Sequence, residues 1–247
     1  MNQSFQEIEA IRQQMEACKG WQIWRKQRRL DDSYYVFIVN HKELKTALLV
    51  FNIPDVAVDL WMVENRAKLE QYLKEIKRLL HNYLAAVRSL VDHTRKLVCE
   101  MYKDTDFWEE YHQEVKKRFD EPPHSRFVQE LRHYVLHNEL PFVGATLRWE
   151  QNLGMENFVQ LDVLRLRAWG RWGAKAREYL ATLPEKVRLE EIIDPYTSTV
   201  VEFYKWFGRR QSELHHADLE ELGQLQERLQ RAITEARKHF PEDNYSP

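Results

Sequence analysis

The chain has 247 residues, of which 43% are hydrophobic and 31% charged, and its net charge is -2. A chain of this length can bury a core without disulfides or metals, and its small net charge excludes a surface that binds polyanions everywhere, so a nucleic-acid site must be a local patch. The seven glycines and eight prolines are few, which favours long helices over an all-β fold.

The N-terminal region, 1–60, is predicted to mix a helix with short strands. Apolar residues recur at spacings of three and four over 2–18, which is typical of an amphipathic helix that Gly20 would end. Residues 34–39 are β-branched and aromatic and predict a strand. Residues 45–51 fit either a second strand or a short helix.

A helical core is predicted over 63–140. No glycine or proline interrupts 63–102, and its apolar residues keep a helical period, so this segment is one long helix or two helices broken near Asp92. Further helices are predicted over 104–119 and 123–139, with a proline pair between them.

The remainder combines one hairpin with more helices. Two alternating runs on either side of Asn152-Leu153-Gly154 predict a β-hairpin over 142–167, its strands at 142–149 and 158–166. The helical pattern returns over 170–240, with segments at 172–182, 189–215 and 217–239. The predicted fold is therefore mainly α, a helical bundle with a small inserted β-hairpin, in a single domain covering 1–247.

The environment is predicted to be the cytoplasm. The two cysteines, Cys18 and Cys99, lie far apart and fit reduced thiols. The N-terminus is polar and unlike a signal peptide. The longest apolar stretch, 47–53, is too short to cross a bilayer, so no membrane partner is expected.

The six residues RHYVLH, from Arg132 to His137, carry the sharpest functional pattern. At about 100° per residue, the two end residues lie about 140° apart on a helix, one on each flank of its apolar stripe. They cannot both reach one phosphate from a straight helix. The helix must end at His137, another helix must intervene, or a second copy must face the first across a two-fold axis.

This segment resembles the signature of the HEPN superfamily, in which Arg is followed by Asn, His or Lys, then three residues, then His. The resemblance implies a metal-independent endoribonuclease that acts on RNA, as in bacterial toxin–antitoxin and anti-phage defence systems. It also implies a homodimer, with an antitoxin or defence-system protein as partner.

The resemblance assigns roles to the residues of the motif. His137 would take part in the proton transfers that let the 2′-hydroxyl attack the phosphate, and Arg132 would stabilise charge on the phosphate oxygens. Imidazole titrates near neutral pH and guanidinium binds phosphate through paired hydrogen bonds, so the chemistry suits both. His133 stands where family members usually carry Asn, which leaves its role open.

A structural alternative is that Arg132 pairs with an acid from another helix while His137 caps the helix end. The chain would then be a non-catalytic helical binding, scaffold or regulatory protein. Asp92, His93 and Arg95, which interrupt the apolar pattern of the long helix, are either a second polar wall of the active site, with Asp92 orienting a His, or a hydrogen-bonded or solvent-exposed cluster.

Two basic and aromatic stretches are candidates for RNA contact, since cations neutralise phosphates and aromatic rings stack on unpaired bases. The alternative is a solvated face whose Trp side chains pack inward. The basic residues concerned are Arg25, Lys26, Arg28, Arg29, Arg165, Arg167 and Arg171.

No metal site or cofactor is predicted. His133 and His137 have the spacing of two zinc ligands, but the Glu that accompanies such a pair is absent and no third ligand is evident. The chain also lacks a P-loop, a dinucleotide fingerprint and a Gly-x-Ser-x-Gly motif.

Overall fold

The computed structural model describes residues 3–138, 140–141, 143–150 and 154–238, and leaves the side chains of residues 3, 136, 137 and 150 undescribed. Over these residues the chain forms ten α-helices and a three-stranded antiparallel sheet, which confirms the mainly α prediction with a small β-hairpin. The helices are α1 (Gln3–Ala17), α2 (Lys19–Phe51), α3 (Pro54–Trp61), α4 (Arg66–Tyr102), α5 (Asp106–Val115), α6 (Pro123–His137), α7 (Val163–Arg167), α8 (Ala174–Thr182), α9 (Leu189–Leu214) and α10 (His216–Lys238).

The strand predicted over 34–39 is wrong, and of the two alternatives for 45–51 the helix is found, because 34–51 lies wholly within α2. The buried apolar residues of this part of α2 include Leu30, Phe37, Leu44 and Phe51, each seven residues after the last, and Leu48, four residues after Leu44. Seven residues make about two helical turns, so these side chains lie on one face of a helix. That long-range pattern of burial overrides the local β propensity of 34–39.

The chain divides into two compact units, where the sequence analysis treated it as one domain. One unit combines the residues up to 29 with those from 205 onward, and the other runs from 30 to 204. The helices α2 and α9 supply residues to both.

The unit that contains both ends of the chain is built by α1 packing on α10. Its core includes Met15, Leu222 and Leu225. Gly20 lies inside α2 and does not end α1, which stops at Ala17. A Cβ on Gly20 would lie 2.1 Å from the carbonyl oxygen of Asp218, so the glycine allows α2 and α10 to approach closely.

The unit from 30 to 204 is organised around α4. This helix is continuous over 37 residues and does not break at Asp92. It packs against α5 and α6, and a π-helical turn, Lys116–Asp120, joins those two helices. None of the described helices is both long and apolar enough to cross a membrane.

The predicted hairpin is confirmed, with a shift in its second strand. The strands β1 (Val143–Glu150) and β2 (Gly154–Asp162) pair antiparallel, and Gly154 has a φ of 79°, a conformation that favours glycine. The predicted strand end at 163–166 instead belongs to α7, because the Asp162 carboxylate accepts a hydrogen bond from the backbone N–H of Arg165 and caps that helix. A short third strand, β3 (Lys186–Arg188), pairs with β2.

Candidate functional site

A polar pocket of about 210 Å³ lies between α4 and α6. The residues of α4 that line this pocket lie on one face of the helix, and apolar and basic side chains alternate along that face. We call it the arginine pocket, and it is lined by Val87, Arg88, Val91, Arg95, Gln129, Arg132 and His133.

The charges around the pocket show which parts of the two helices lie near each other. Arg88 and Asp92 act electrostatically on Arg132, near the end of α6. At the start of α6, Arg126 pairs with Asp120, and Asp120 lies with Arg95 around a neighbouring cavity. Along α4, Arg88 and Asp92 are therefore near Arg132, whereas Arg95 lies where the pocket adjoins the cavity that Asp120 also lines.

Arg132 has the most unusual environment in the pocket. Its Nε is buried and has no hydrogen-bond partner among the described residues, and none of these residues forms a salt bridge with it. Burial lowers the pKa of Arg132, the positive charge of Arg88 lowers it further, and Asp92 opposes the shift. A buried unpaired donor costs about 1–3 kcal/mol, and an anion in the pocket would remove that cost.

The structure does not bring Asp92, His93 and Arg95 together as the second polar wall that was one of the two predictions for them. Arg95 lines the pocket. Asp92 accepts a hydrogen bond from Nε of Arg88 at 2.7 Å, so it orients an arginine and not a histidine. His93 points elsewhere, with its Nδ1 2.6 Å from the Ser33 hydroxyl. Successive residues on a helix point about 100° apart, which is why the three cannot share one wall.

His133 lies in the pocket with Arg132. Its ring centroid is 5.9 Å from that of Trp169, which packs in turn against Trp172. His137 is the last residue of α6, and its side chain lies outside the described part of the chain. The structure thus brings Arg132 together with the second residue of the motif, and leaves its pairing with His137 a prediction.

The basic stretch near the N-terminus lies on the first turns of α2, in the unit that contains both chain ends. Trp21 and Trp24 stack on each other with ring centroids 5.0 Å apart and pack against the core of that unit. These aromatic rings are therefore partly buried against the core. The charged residues beside them are exposed or half-buried: Arg25, Lys26, Arg28 and Arg29.

The later basic stretch is largely engaged within the unit from 30 to 204. Arg165 pairs with Asp162. The guanidinium of Arg167 donates to the carbonyl oxygens of Leu180 and Leu183, where α8 ends. Arg171 is exposed. Arg167 thus satisfies helix-end carbonyls, which is a structural role.

A second cavity, of about 40 Å³, adjoins the arginine pocket and shares Val87, Val91, Arg95 and Gln129 with it. Its other walls are mainly aromatic. Burial raises the pKa of Tyr111 to about 12, with the nearby charge of Arg95 opposing the shift. The hydroxyl of Tyr196 is buried beside Gln129.

A separate ionic cluster joins α2 to α9 in the same unit. Lys45 donates to Glu190 at 3.2 Å and to Asp194 at 2.6 Å, and His41 contacts Asp194 at 3.1 Å. Burial alone would lower the pKa of Lys45, but the two carboxylates outweigh it and raise that pKa. Because the charges are mutually satisfied, the cluster ties two helices together. Within the described residues no group of His, Cys, Asp or Glu side chains could hold a metal ion.

Comparisons with protein-family models, with curated proteins and with solved structures give no match.

Two residues of the arginine pocket, Arg88 and Gln129, were not predicted from the sequence. Arg88 and Arg95 are seven residues apart, which places them on one face of a helix, so their spacing was a usable signal. Gln129 precedes Arg132 by three residues and faces the same side of α6. No local signal indicates which face of α4 meets which face of α6.

Proposed function

We propose that this chain is a metal-independent endoribonuclease of HEPN type whose active site is the arginine pocket. The observation that carries the proposal is the buried, unpartnered Nε of Arg132 in a pocket that also holds Arg88 and His133. Guanidinium groups match the oxygens of a phosphodiester and bind it through charge-assisted hydrogen bonds.

Cleavage would proceed by transfer of the phosphate to the neighbouring hydroxyl. A base removes the proton of the 2′-hydroxyl, O2′ forms a bond to phosphorus, the P–O5′ bond breaks and an acid protonates O5′. The products are a 2′,3′-cyclic phosphate and a 5′-hydroxyl. Arg132 would stabilise the charge that develops on the phosphate oxygens.

Two imidazoles are available for the proton transfers in this proposal. His133 supports it by lining the pocket, and His137 is assigned by the family resemblance. Imidazole serves as acid or base near neutral pH. In a homodimer the acid and the base could come from different copies, which would form a composite site. We further propose that the protein acts in the cytoplasm, as a toxin or anti-phage defence effector with an antitoxin or defence-system protein as partner.

The test is cleavage of a mixed RNA substrate in EDTA by the wild-type protein and by Arg132→Ala, His133→Ala and His137→Ala. We expect wild-type cleavage with cyclic phosphate ends. Loss of a charge-stabilising donor or of an acid–base group typically lowers the rate by about 100-fold or more. Arg78→Ala is the matched control, since Arg78 is an exposed arginine of α4 that pairs with Glu75 outside the pocket.

Equal cleavage by all variants would mean a contaminating nuclease and would contradict the proposal. RNA binding that depends on Arg132 but is never followed by cleavage would favour the non-catalytic alternative, in which the pocket binds phosphate and does no chemistry. Because Arg132 makes no salt bridge with any described residue, a purely structural role as an ion-pair partner has no support in the described residues.

A further inference from the structure

The arginine pocket has two cationic ends. Arg88 and Arg95 are seven residues apart on α4, about 10.5 Å along the helix axis. Arg88 lies at the end that holds Arg132 and His133, where the proposed chemistry occurs. Arg95 lies at the other end, is exposed, and makes no salt bridge with any described residue. The first end therefore has a task in the proposed function, whereas the second has none.

The size of the pocket exceeds what one phosphate needs. Its volume of about 210 Å³ is many times the roughly 10–15 Å³ that a cavity needs to hold one water molecule. A single phosphate is a phosphorus atom with its few oxygens, so a phosphate bound at Arg132 leaves room toward Arg95. Whatever fills that room should be anionic, because the Arg95 guanidinium lines it and makes no salt bridge with any described residue.

The cavity behind Arg95 makes a nucleobase an unsuitable occupant of that end. It measures about 40 Å³ and is walled by aromatic and aliphatic side chains together with a few polar ones. A cavity that takes up a benzene ring measures about 150 Å³, so the cavity behind Arg95 is too small for a nucleobase. A base therefore cannot insert beneath Arg95, while phosphate oxygens can reach its guanidinium from the open side.

We propose that Arg95 binds the phosphate next to the scissile one, so that the substrate is an RNA strand with at least two consecutive phosphates. This inference rests on the proposed function and names its substrate class. Arg95 is then a positioning residue: it touches the strand beside the reacting phosphate and fixes the register at Arg132. Successive phosphates are an invariant feature of the backbone, so the recognition does not depend on base identity.

The binding test uses non-cleavable 2′-deoxy ligands, measured by calorimetry on the full-length protein. The dinucleotide dTpdT carries one phosphate, and dTpdTp and pdTpdT carry a second at either end. For the wild type we expect one of the doubly phosphorylated ligands to bind about tenfold more tightly than dTpdT, the gain expected of one charge-assisted contact. Arg95→Ala should abolish that gain.

Lys96→Ala is the matched control, because it removes the same charge from the neighbouring, exposed position of α4, where Lys96 faces Glu100. It should preserve the gain. The inference would be overturned if the tighter binding of the two-phosphate ligand survives in Arg95→Ala. It would also be overturned if Lys96→Ala reduces that affinity difference as much as Arg95→Ala does. The corresponding ribonucleotides give a kinetic readout: Arg95→Ala should raise KM about tenfold more on the two-phosphate substrate than on the one-phosphate substrate.

The outcomes separate this inference from the proposed function. If no RNA is cleaved but the second phosphate still improves binding only when Arg95 is present, the ribonuclease proposal fails and the two-phosphate site stands. If cleavage depends on Arg132 and His133 but Arg95→Ala treats both substrates as the wild type does, the ribonuclease proposal stands and this inference fails.

Discussion

His124 lies in the first turn of α6, and its Nε2 donates a hydrogen bond to the carbonyl oxygen of Ile192 at 2.8 Å. The ring meets that of Tyr179 edge-on, with centroids 5.0 Å apart. Burial lowers the pKa of His124, and the hydrogen bond to Ile192 opposes this shift only in part. The folded protein therefore favours the neutral ring.

This depressed pKa makes stability depend on pH in one direction. In the unfolded chain a histidine takes up its proton near pH 6.5, before the folded protein does, so protonation favours unfolding. The contribution is complete above about pH 6.5 and is lost as pH falls toward the folded-state pKa. We expect Tm to fall from pH 7.5 to pH 5.5 less steeply in His124→Gln than in the wild type.

The control for this prediction is His112→Gln, since His112 is exposed and bonds only to the carbonyl oxygen of Trp108 on its own helix among its described hydrogen bonds. It should keep the wild-type slope of Tm against pH. Equal slopes for the wild type and both variants would show that His124 titrates alike in the folded and unfolded states.

At the scale of single residues, the sequence predicted part of the candidate site. The motif singled out Arg132 and His133, which line the pocket. It did not indicate Arg88, because the sequence does not show that this arginine of α4 lies beside Arg132 of α6. Of the two alternatives for Asp92, the hydrogen-bonded, solvent-exposed one fits the structure, because an arginine four residues earlier in the helix pairs with it.

At the scale of elements, α8 begins at a carboxylate that another helix supplies. The backbone N–H of Gly173, the residue before α8, donates to Oε2 of Glu130 on α6 at 2.7 Å. A Cβ at Gly173 would lie 2.7 Å from Oε1 of the same carboxylate, so a larger residue there would displace the Glu130 side chain from this contact. A negative charge at a helix N-terminus interacts favourably with its unpaired N–H groups.

Removing this carboxylate should weaken both helices at once. We expect Glu130→Ala to lower the free energy of unfolding by about 1 kcal/mol, the typical loss for a capping contact. Glu130→Gln, which keeps an oxygen acceptor but no charge, should lose less. The measurement is urea unfolding, with Glu178→Ala as control because Glu178 is an exposed residue within α8. A loss no greater than that of Glu178→Ala would contradict the assigned contact.

Secondary-structure elements were predicted best where the apolar residues of a segment follow a single period. The long uninterrupted pattern of α4 predicted a helix, and a helix is found. In α2 the local composition of 34–39 favours a strand, whereas the burial that selects a helix is spread over residues seven apart and shows only in the packed structure. The three residues of β3 are too few to carry a pattern, and they pair only because β2 is beside them.

At the scale of the whole molecule, the two compact units differ in how the chain builds them. The unit from 30 to 204 is continuous in sequence, whereas the other combines the two ends of the chain. Sequence patterns indicate that α1 and α10 are amphipathic, but they do not indicate that these helices, about two hundred residues apart, pack on each other. That pairing is set by tertiary packing alone.

A continuous unit with its own core should fold without the rest of the chain. We expect a fragment of residues 30–204 to unfold cooperatively in urea, because its buried core includes Phe37, Tyr83, Phe127 and Tyr196. All residues of the arginine pocket lie inside it. The fragment should therefore bind the two-phosphate deoxynucleotide within about threefold of the full-length affinity, and Arg132→Ala in the fragment should abolish that binding. A fragment with helical circular dichroism but no cooperative transition would show that the unit needs the ends of the chain to pack its core.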